Sequence, residues 1–313
     1  MHPAYSVIFF TTASGAGYGL LIWIGLVQLF SGLPEHQGFR WAAFIFAFGL
    51  VTAGLLASTA HLGRPERAWR AFSQWQTSWL SREGVAAVFT YVPAGLLAIW
   101  ALFGAGDRAQ GLWSLLTIAG AVATIACTAM IYASLTTIRA WNEALVLPVY
   151  LVLALATGGV LYSGLAAMAG HTPSTVILLT ILLLVAGGAM KALYWSRIDG
   201  RQLTLTTADA IGLPGAGTAR PIEPAHTQSN FVMHEMGYDV ARRHSDRLRL
   251  ICSVLLFVVP ALALLVLLGV TAAAPLISLI AIISTAIGVF IERWLFFAEA
   301  QHVVTLYYGE AVA

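Results

Sequence analysis

Charged residues are scarce in this sequence. Of its 313 residues only 10% are Asp, Glu, Lys or Arg, whereas 59% are hydrophobic, and the mean hydropathy is +0.83. A soluble domain carries about 25% charged residues, and a chain this apolar would expose too much hydrocarbon to water. The net charge of +2 is small and gives no reason to expect a nucleic-acid partner. The composition therefore indicates an integral membrane protein.

Ligands for redox metals are also few. The chain has two cysteines, Cys127 and Cys252, whereas an iron–sulfur cluster is bound by about four thiolates. Eight histidines are present, but none falls in the middle of a long apolar run, where a bis-histidine haem in a membrane bundle would need them. We therefore expect no haem and no iron–sulfur cluster in this chain. If it moves electrons, it needs a diffusible carrier and a partner protein.

Long uncharged runs mark the candidate membrane crossings, because a helix needs about 20 apolar residues to span the hydrocarbon core. Two of the runs are too long for one crossing and are divided by glycine and proline near 170–173 and 269–275. The sequence thus predicts an all-α membrane protein with eight transmembrane helices and both termini on the same side. Residues 1–313 are predicted to form a single polytopic domain, packed as two four-helix bundles. The runs are 7–30, 41–60, 84–106, 110–138, 144–190 and 250–291.

Positive charges are distributed unequally between the two sides of the predicted membrane domain. Fourteen Lys and Arg residues fall on the side of the termini and two, Arg40 and Arg108, on the other side. Without the long segment between helices six and seven, the ratio is still six to two. Positive charge accumulates on the cytoplasmic side of membrane proteins. We therefore predict a multi-pass protein of a bacterial inner membrane with cytoplasmic termini.

One short segment combines many ionisable groups at the predicted membrane surface. His61 is predicted to close the second helix and Glu83 to open the third, so that the loop between them returns both to one surface. Four arginines, including Arg64 and Arg67, lie in or beside this loop among several aromatic residues. Ionisable groups at membrane depth are candidates for function. The alternative is structural, because His61 and Glu83 suit the dipoles of their helix ends and Ser81 is a natural N-cap.

A second group of charges lies near the end of the last helix. Glu292, Arg293 and Glu299 follow a long apolar run. Neighbouring residues of a helix point in different directions, so Glu292 and Arg293 are each expected to need a partner from another helix. Arg139 and Glu143 are candidates for that partner. We favour structural pairing of these groups over a proton path.

Four segments resemble a known family. Residues 1–12, 14–19, 61–72 and 78–84 are similar to the membrane anchor subunit of dimethyl sulfoxide reductase, within the wider polysulfide-reductase and nitrite-reductase anchor superfamily. The third segment, His-Leu-Gly-Arg-Pro-Glu-Arg-Ala-Trp-Arg-Ala-Phe, is long and highly specific. In this family the residues matching His61 and Glu83 are tied to quinone binding. We expect Arg64, Arg67 and Ser81 beside them at a quinone site.

The resemblance implies a three-subunit oxidoreductase. Molybdopterin belongs to a catalytic subunit, four 4Fe–4S clusters belong to a ferredoxin-like iron–sulfur subunit, and the anchor exchanges electrons with menaquinone or ubiquinone. The anchor is then the quinone-reactive subunit and does not itself act on the terminal substrate. Its expected partners are the two other subunits and membrane lipids. The basic segment 195–249 is predicted to be a docking arm for those subunits, the alternative being a disordered linker.

Several functions stay open at this point. The resemblance includes an anchor that serves a cytoplasm-facing sulfite dehydrogenase, and the predicted cytoplasmic orientation and the extended basic segment therefore favour sulfite oxidation with quinone as acceptor. The alternative is the anchor of a reductase of dimethyl sulfoxide, or of other S- or N-oxides, which oxidises menaquinol. A purely structural anchor without a quinone site is a further alternative. A secondary transporter is more distant, because it predicts internal repeats and polar groups near mid-span, and neither is evident in the sequence.

Overall fold

The computed structural model describes residues 5–59, 64–104, 109–200, 206–213, 219, 222–223, 244–300, 302, 303 and 306. Within these residues, eight helices are long and apolar enough to cross a membrane, which confirms the predicted all-helical membrane fold. An even number of crossings places both ends of this domain on the same side. The helices are α1 (Tyr5–Phe30), α2 (Gln37–Thr59), α3 (Trp79–Phe103), α4 (Gln110–Ala133), α5 (Val146–Met168), α6 (Ser174–Gly200), α7 (Ser245–Leu267) and α8 (Ala274–Ala298).

Within the described part of the chain, three smaller helical elements accompany the crossings. A 3-10 helix, Pro65–Gln74, forms most of the connection between α2 and α3, and a one-turn helix, Thr207–Ala210, follows α6. Within α7, the turn Val254–Val258 is a π-helix, placed just before Pro260. Proline has no N–H to continue the helical hydrogen-bond ladder, which is consistent with an irregular turn at this point.

The helices form two four-helix bundles, as predicted. In the first bundle α1 packs against α2 and α4, and α3 packs against α4. In the second bundle α5 packs against α6 and α8, and α7 packs against α8. The bundles are joined where α1 crosses α5. A Cβ atom on Gly19 would lie 1.8 Å from the carbonyl oxygen of Ala154, and one on Gly158 would lie 2.2 Å from the carbonyl carbon of Gly19. Only glycine allows the two backbones to approach so closely.

Five helices take in charged residues beyond the uncharged runs that predicted them. α2 begins before Arg40, α3 before Glu83 and α7 before Arg247, whereas α6 continues past Lys191 and α8 continues past Glu292. The expectation that the spans carry no charge is therefore wrong at these positions. Six of the fourteen and one of the two lie inside helices and do not belong in a count of loop charges, which leaves eight against one. The six are Arg82, Lys191, Arg197, Arg247, Arg249 and Arg293, and the one is Arg40. The bias that predicts cytoplasmic termini survives this correction.

The ends of α2, α4, α6 and α8 lie on one side of the domain, here called the shared face. Contacts between these ends tie the second bundle to the connection between α4 and α5. The Trp141 indole N–H donates to the Phe296 carbonyl oxygen at 2.9 Å, and Ile138 and His302 form an isolated antiparallel bridge. Both ends of the predicted docking arm 195–249 are helical, in α6 and α7, and most of its interior lies outside the described residues.

Candidate functional site

The connection between α2 and α3 is clamped onto the start of α3. Ser78, rather than Ser81, is the N-cap of α3, and its side chain accepts a hydrogen bond from the Ser81 N–H at 3.5 Å. The Ser81 hydroxyl is buried and donates instead to the Ala71 carbonyl oxygen in the 3-10 helix. The prediction that Ser81 caps the helix is therefore wrong. Its hydroxyl holds the 3-10 helix against α3.

The predicted site arginines, Arg64 and Arg67, are exposed. Arg64 and Arg67 lie at the start of the 3-10 helix, on the shared face, and both are open to solvent. Arg82 donates from its Nε to the Trp75 carbonyl oxygen at 3.0 Å, and its guanidinium lies 4.3 Å from the centre of the Trp79 ring. His61 lies outside the described residues. Its predicted position beside Glu83 therefore stays a prediction.

Glu83 is buried rather than placed at the membrane surface. It follows the first turn of α3, only 4% of its surface is exposed, and one of its carboxyl oxygens accepts a hydrogen bond from the Thr128 hydroxyl of α4. The 3-10 helix covers this end of α3, and the Phe72 ring packs over Gly84. The expectation of a surface carboxylate is wrong, because the helix begins earlier than predicted and carries Glu83 under the loop.

A small chamber with polar and apolar walls lies next to this hydrogen bond, where the two bundles meet. Its volume is about 20 Å³, it is partly open, and it is bounded by α1, α4, α5 and α8. Thr128 forms part of its wall, so the chamber begins one side chain away from Glu83. The polar side chains that line it are Thr11, Thr12, Ser14, Tyr18, Thr128, Tyr150, Thr157 and Arg293.

A buried ionic triad lies on the far side of the chamber. The Glu292 carboxylate in α8 is 2.7 Å from the Lys191 ammonium of α6 and 2.9 Å from Nε of Arg293. All three residues are nearly inaccessible to solvent, and the Arg293 guanidinium lies 3.8 Å from the centre of the Tyr150 ring. The expectation that Glu292 and Arg293 point apart is wrong, because the long Arg293 side chain folds back onto its neighbour. Structural pairing is confirmed for Glu292, with Lys191 as the missed partner.

A second set of ion pairs lies at the shared face. Arg249 at the start of α7 contacts the Glu299 carboxylate at 2.7 Å and the Asp199 carboxylate at 2.6 Å. Arg197 of α6 contacts Glu143 at 2.9 Å. Burial raises the pKa of Glu299, which follows the last turn of α8, and the nearby Arg249 lowers it only in part.

The sequence shows that α8 carries two charged residues, Glu292 and Arg293. The neighbouring sequence does not identify the residue that pairs with them. The partner is Lys191, which directly follows an uncharged run and is the only lysine of the chain. A lone lysine beside an apolar run is the one signal that could have suggested it. Thr128 carries no comparable signal, since threonine is common in membrane helices.

Comparison with known proteins identifies the same family over nearly the whole chain. A family model described as DMSO reductase anchor subunit (DmsC) matches residues 1–309. A sulfite dehydrogenase subunit from Allochromatium vinosum is 36% identical over 325 residues, which cover 98% of this chain and 99% of that protein. The resemblance found in the sequence is confirmed. The chain belongs to the DMSO reductase anchor subunit family, and it is a multi-pass membrane protein.

Proposed function

We propose that this chain is the membrane anchor of a molybdopterin and iron–sulfur oxidoreductase, and that it binds quinone beneath the connection between α2 and α3. The observation that carries the quinone site is the Glu83 carboxyl group, which is buried and whose hydrogen bond comes from a hydroxyl rather than from a cation. Burying a carboxyl group in this way is unfavourable and is typical of a group that exchanges protons. Family membership supports the proposal.

Each predicted side chain has a role at such a site. A bound quinone supplies chemistry in which two electrons and two protons are exchanged. A histidine side chain generally titrates near neutral pH, and His61 is proposed to hold or release a proton at the quinone oxygen. Glu83 can do the same from the buried side. Arg64 and Arg67 add positive potential at the mouth of the site, which favours negative charge that develops on the ligand. Ser81 acts indirectly, because it holds the 3-10 helix over Glu83.

The proposed partners are an iron–sulfur subunit with four 4Fe–4S clusters and a molybdopterin catalytic subunit. The shared face is the surface proposed to receive them, because it carries exposed Arg64 and Arg67 and both ends of the basic segment 195–249. That segment is proposed to be the docking arm. The distribution of Lys and Arg supports a cytoplasmic position for this face in a bacterial inner membrane.

Sulfite oxidation, with quinone as the electron acceptor, is the proposed overall reaction. Two observations support it: the full-length similarity to a protein named as a subunit of sulfite dehydrogenase, and the charge bias toward cytoplasmic termini. The alternative is the anchor of a reductase of dimethyl sulfoxide, or of other S- or N-oxides, that oxidises menaquinol, and the description of the matching family favours it. In either case the anchor reacts with quinone and leaves the terminal substrate to the molybdopterin subunit.

Binding of a quinone analogue to the purified membrane complex tests the site. Glu83→Gln and His61→Arg are each expected to weaken binding by about tenfold or more, since each removes a group proposed to contact the ligand. Glu66→Gln is the matched control, because Glu66 lies in the same connection but is exposed. Unchanged binding in both site variants would support the alternative of a purely structural anchor without a quinone site. A chain that purifies alone, without molybdenum or iron, would favour the transporter.

A further inference from the structure

The chamber between the bundles has walls suited to water. The hydroxyls of Thr12 and Ser14 donate to carbonyl oxygens of their own helix, at 2.9 Å and 2.6 Å, which leaves their lone pairs as acceptors. The Tyr18 and Tyr150 hydroxyls and Nη1 of Arg293 are buried and make no hydrogen bond of normal geometry to any described residue. The walls therefore present donors as well as acceptors, which is the combination that an ordered water satisfies.

The size of the chamber agrees with this occupant. A cavity needs about 10–15 Å³ to accommodate one water molecule, and the chamber measures about 20 Å³. The chamber is also not fully enclosed.

The charge on the chamber wall favours release of protons from it. The triad holds two cations, Lys191 and Arg293, but only one carboxylate, Glu292, so one positive charge is left in excess. Arg293 is the member of the triad that lines the chamber. A water molecule that gives up a proton leaves negative charge behind, and a fixed cation stabilises that charge. The same cation opposes an extra proton in the chamber.

We propose that this chamber delivers protons to Glu83 through Thr128, with Arg293 and Tyr150 as positioning residues; the inference rests on the proposed quinone site. Glu83 gives a proton to a quinone oxygen. Thr128 passes its hydroxyl proton to the Glu83 carboxylate and accepts one from chamber water. The hydroxide left in the chamber takes a proton from bulk water. Two such protons, with two electrons from the iron–sulfur subunit, convert one quinone to quinol.

The direct test is Thr128→Val in the intact complex, because valine keeps the shape of threonine and lacks the hydroxyl. Quinone reduction is expected to slow by about tenfold or more, with a larger solvent deuterium isotope effect, while binding of a quinone analogue is unchanged. Thr128→Ser restores the hydroxyl and is expected to recover the rate and the isotope effect.

Thr124→Val is the matched control. Thr124 is buried one turn away on the same helix, and its hydroxyl donates to the Gly120 carbonyl oxygen at 2.8 Å, but it does not line the chamber. This variant is expected to keep the wild-type rate and isotope effect. Equal effects of the two valine variants, or a normal rate in Thr128→Val, would overturn the inference.

A second pair of variants separates the charge on the wall from the charge of the triad. Arg293→Gln and Lys191→Gln each remove one positive charge and leave Glu292 with one cation, but only Arg293 lines the chamber. Arg293→Gln is therefore expected to slow quinone reduction more than Lys191→Gln does, and Arg293→Lys is expected to recover part of the rate. Equal rates in the two glutamine variants would contradict the role of Arg293.

These outcomes are distinguishable from a failure of the quinone site itself. If Glu83→Gln leaves both analogue binding and quinone reduction intact, the proposed site is wrong. If Glu83→Gln abolishes quinone reduction while Thr128→Val behaves like Thr124→Val, the site stands and only the chamber inference fails.

Discussion

The two bundles each bury a glutamate near the shared face, and the two glutamates have opposite surroundings. Glu292, in the second bundle, is flanked by the Lys191 ammonium at 2.7 Å and the Arg293 guanidinium at 2.9 Å. Glu83, in the first bundle, accepts a hydrogen bond from the neutral Thr128 hydroxyl, and no cation forms an ion pair with it among the described residues.

This difference supports the proposed division between a structural carboxylate and a reactive one. A buried carboxylate between two cations is held in one charge state, and its removal leaves unpaired cations in the protein interior. A buried carboxyl group with a hydroxyl partner can gain or lose a proton, because a hydroxyl both donates and accepts hydrogen bonds. We therefore assign stability to Glu292 and proton exchange to Glu83. The variants below test this division, from the largest expected effect to the smallest.

Glu292→Gln is expected to have the largest effect on stability. It leaves the Lys191 and Arg293 cations buried without a counterion, which destabilises a protein by about 3–5 kcal/mol. Thermal unfolding of the detergent-solubilised complex measures the loss. An unfolding temperature equal to that of the wild type would remove the structural role from Glu292.

Glu83→Gln is expected to affect activity rather than stability. Glutamine keeps the shape and can still accept from the Thr128 hydroxyl, so the unfolding temperature should change little. Quinone-dependent turnover is expected to fall by about 100-fold, as for the loss of a general acid or base. A variant that unfolds as easily as Glu292→Gln would show that both glutamates are structural.

Ser81→Ala is expected to have an intermediate effect. It removes the hydrogen bond to the Ala71 carbonyl oxygen and should destabilise the loop by about 1 kcal/mol. Hydrogen exchange in the 3-10 helix, residues 65–74, should become faster. Ser73→Ala is the control, because the Ser73 hydroxyl donates only to Arg70 within that helix. Equal exchange in the two variants would show that Ser81 does not clamp the loop.

Arg197→Gln is expected to have the smallest effect. Its side chain is 40% exposed, and its contact with Glu143 is a solvent-screened ion pair at the shared face. Such pairs contribute less than about 1 kcal/mol to the free energy of unfolding. A loss as large as that of Glu292→Gln would mean that the outer ion pairs stabilise the bundle as strongly as the triad does.

Hydrophobicity alone was sufficient to predict the number of crossings. Bilayer thickness sets the length of an apolar helix, so an uncharged run of sufficient length identifies a span wherever it occurs. Helix ends were less predictable. Lys191 and Glu292 each directly follow an uncharged run, yet both lie inside helices because they neutralise each other across the bundle. Pairing between helices distant in sequence is not visible in either run.

The sequence predicted which residues form the candidate site, but it did not predict how deeply they are buried. The motif from 61 to 84 identifies a dense group of ionisable residues, and the structure places Glu83, Ser81, Arg64 and Arg67 at one end of the domain. Glu83 was expected at the surface, but it lies beneath the 3-10 helix. Its partner Thr128 is 45 residues away in sequence, and only the packing of α3 on α4 brings the two together.

The sequence by itself determined that this protein lies in a membrane, crosses it eight times and belongs to its family. These properties depend on hydrophobic length and on local motifs, which need no knowledge of three-dimensional contacts. Only the tertiary structure decided which charges are neutralised and which carboxyl group stays without a counterion. In a low-dielectric interior the state of a charged group depends on the few atoms around it, and those atoms come from helices far apart in the sequence.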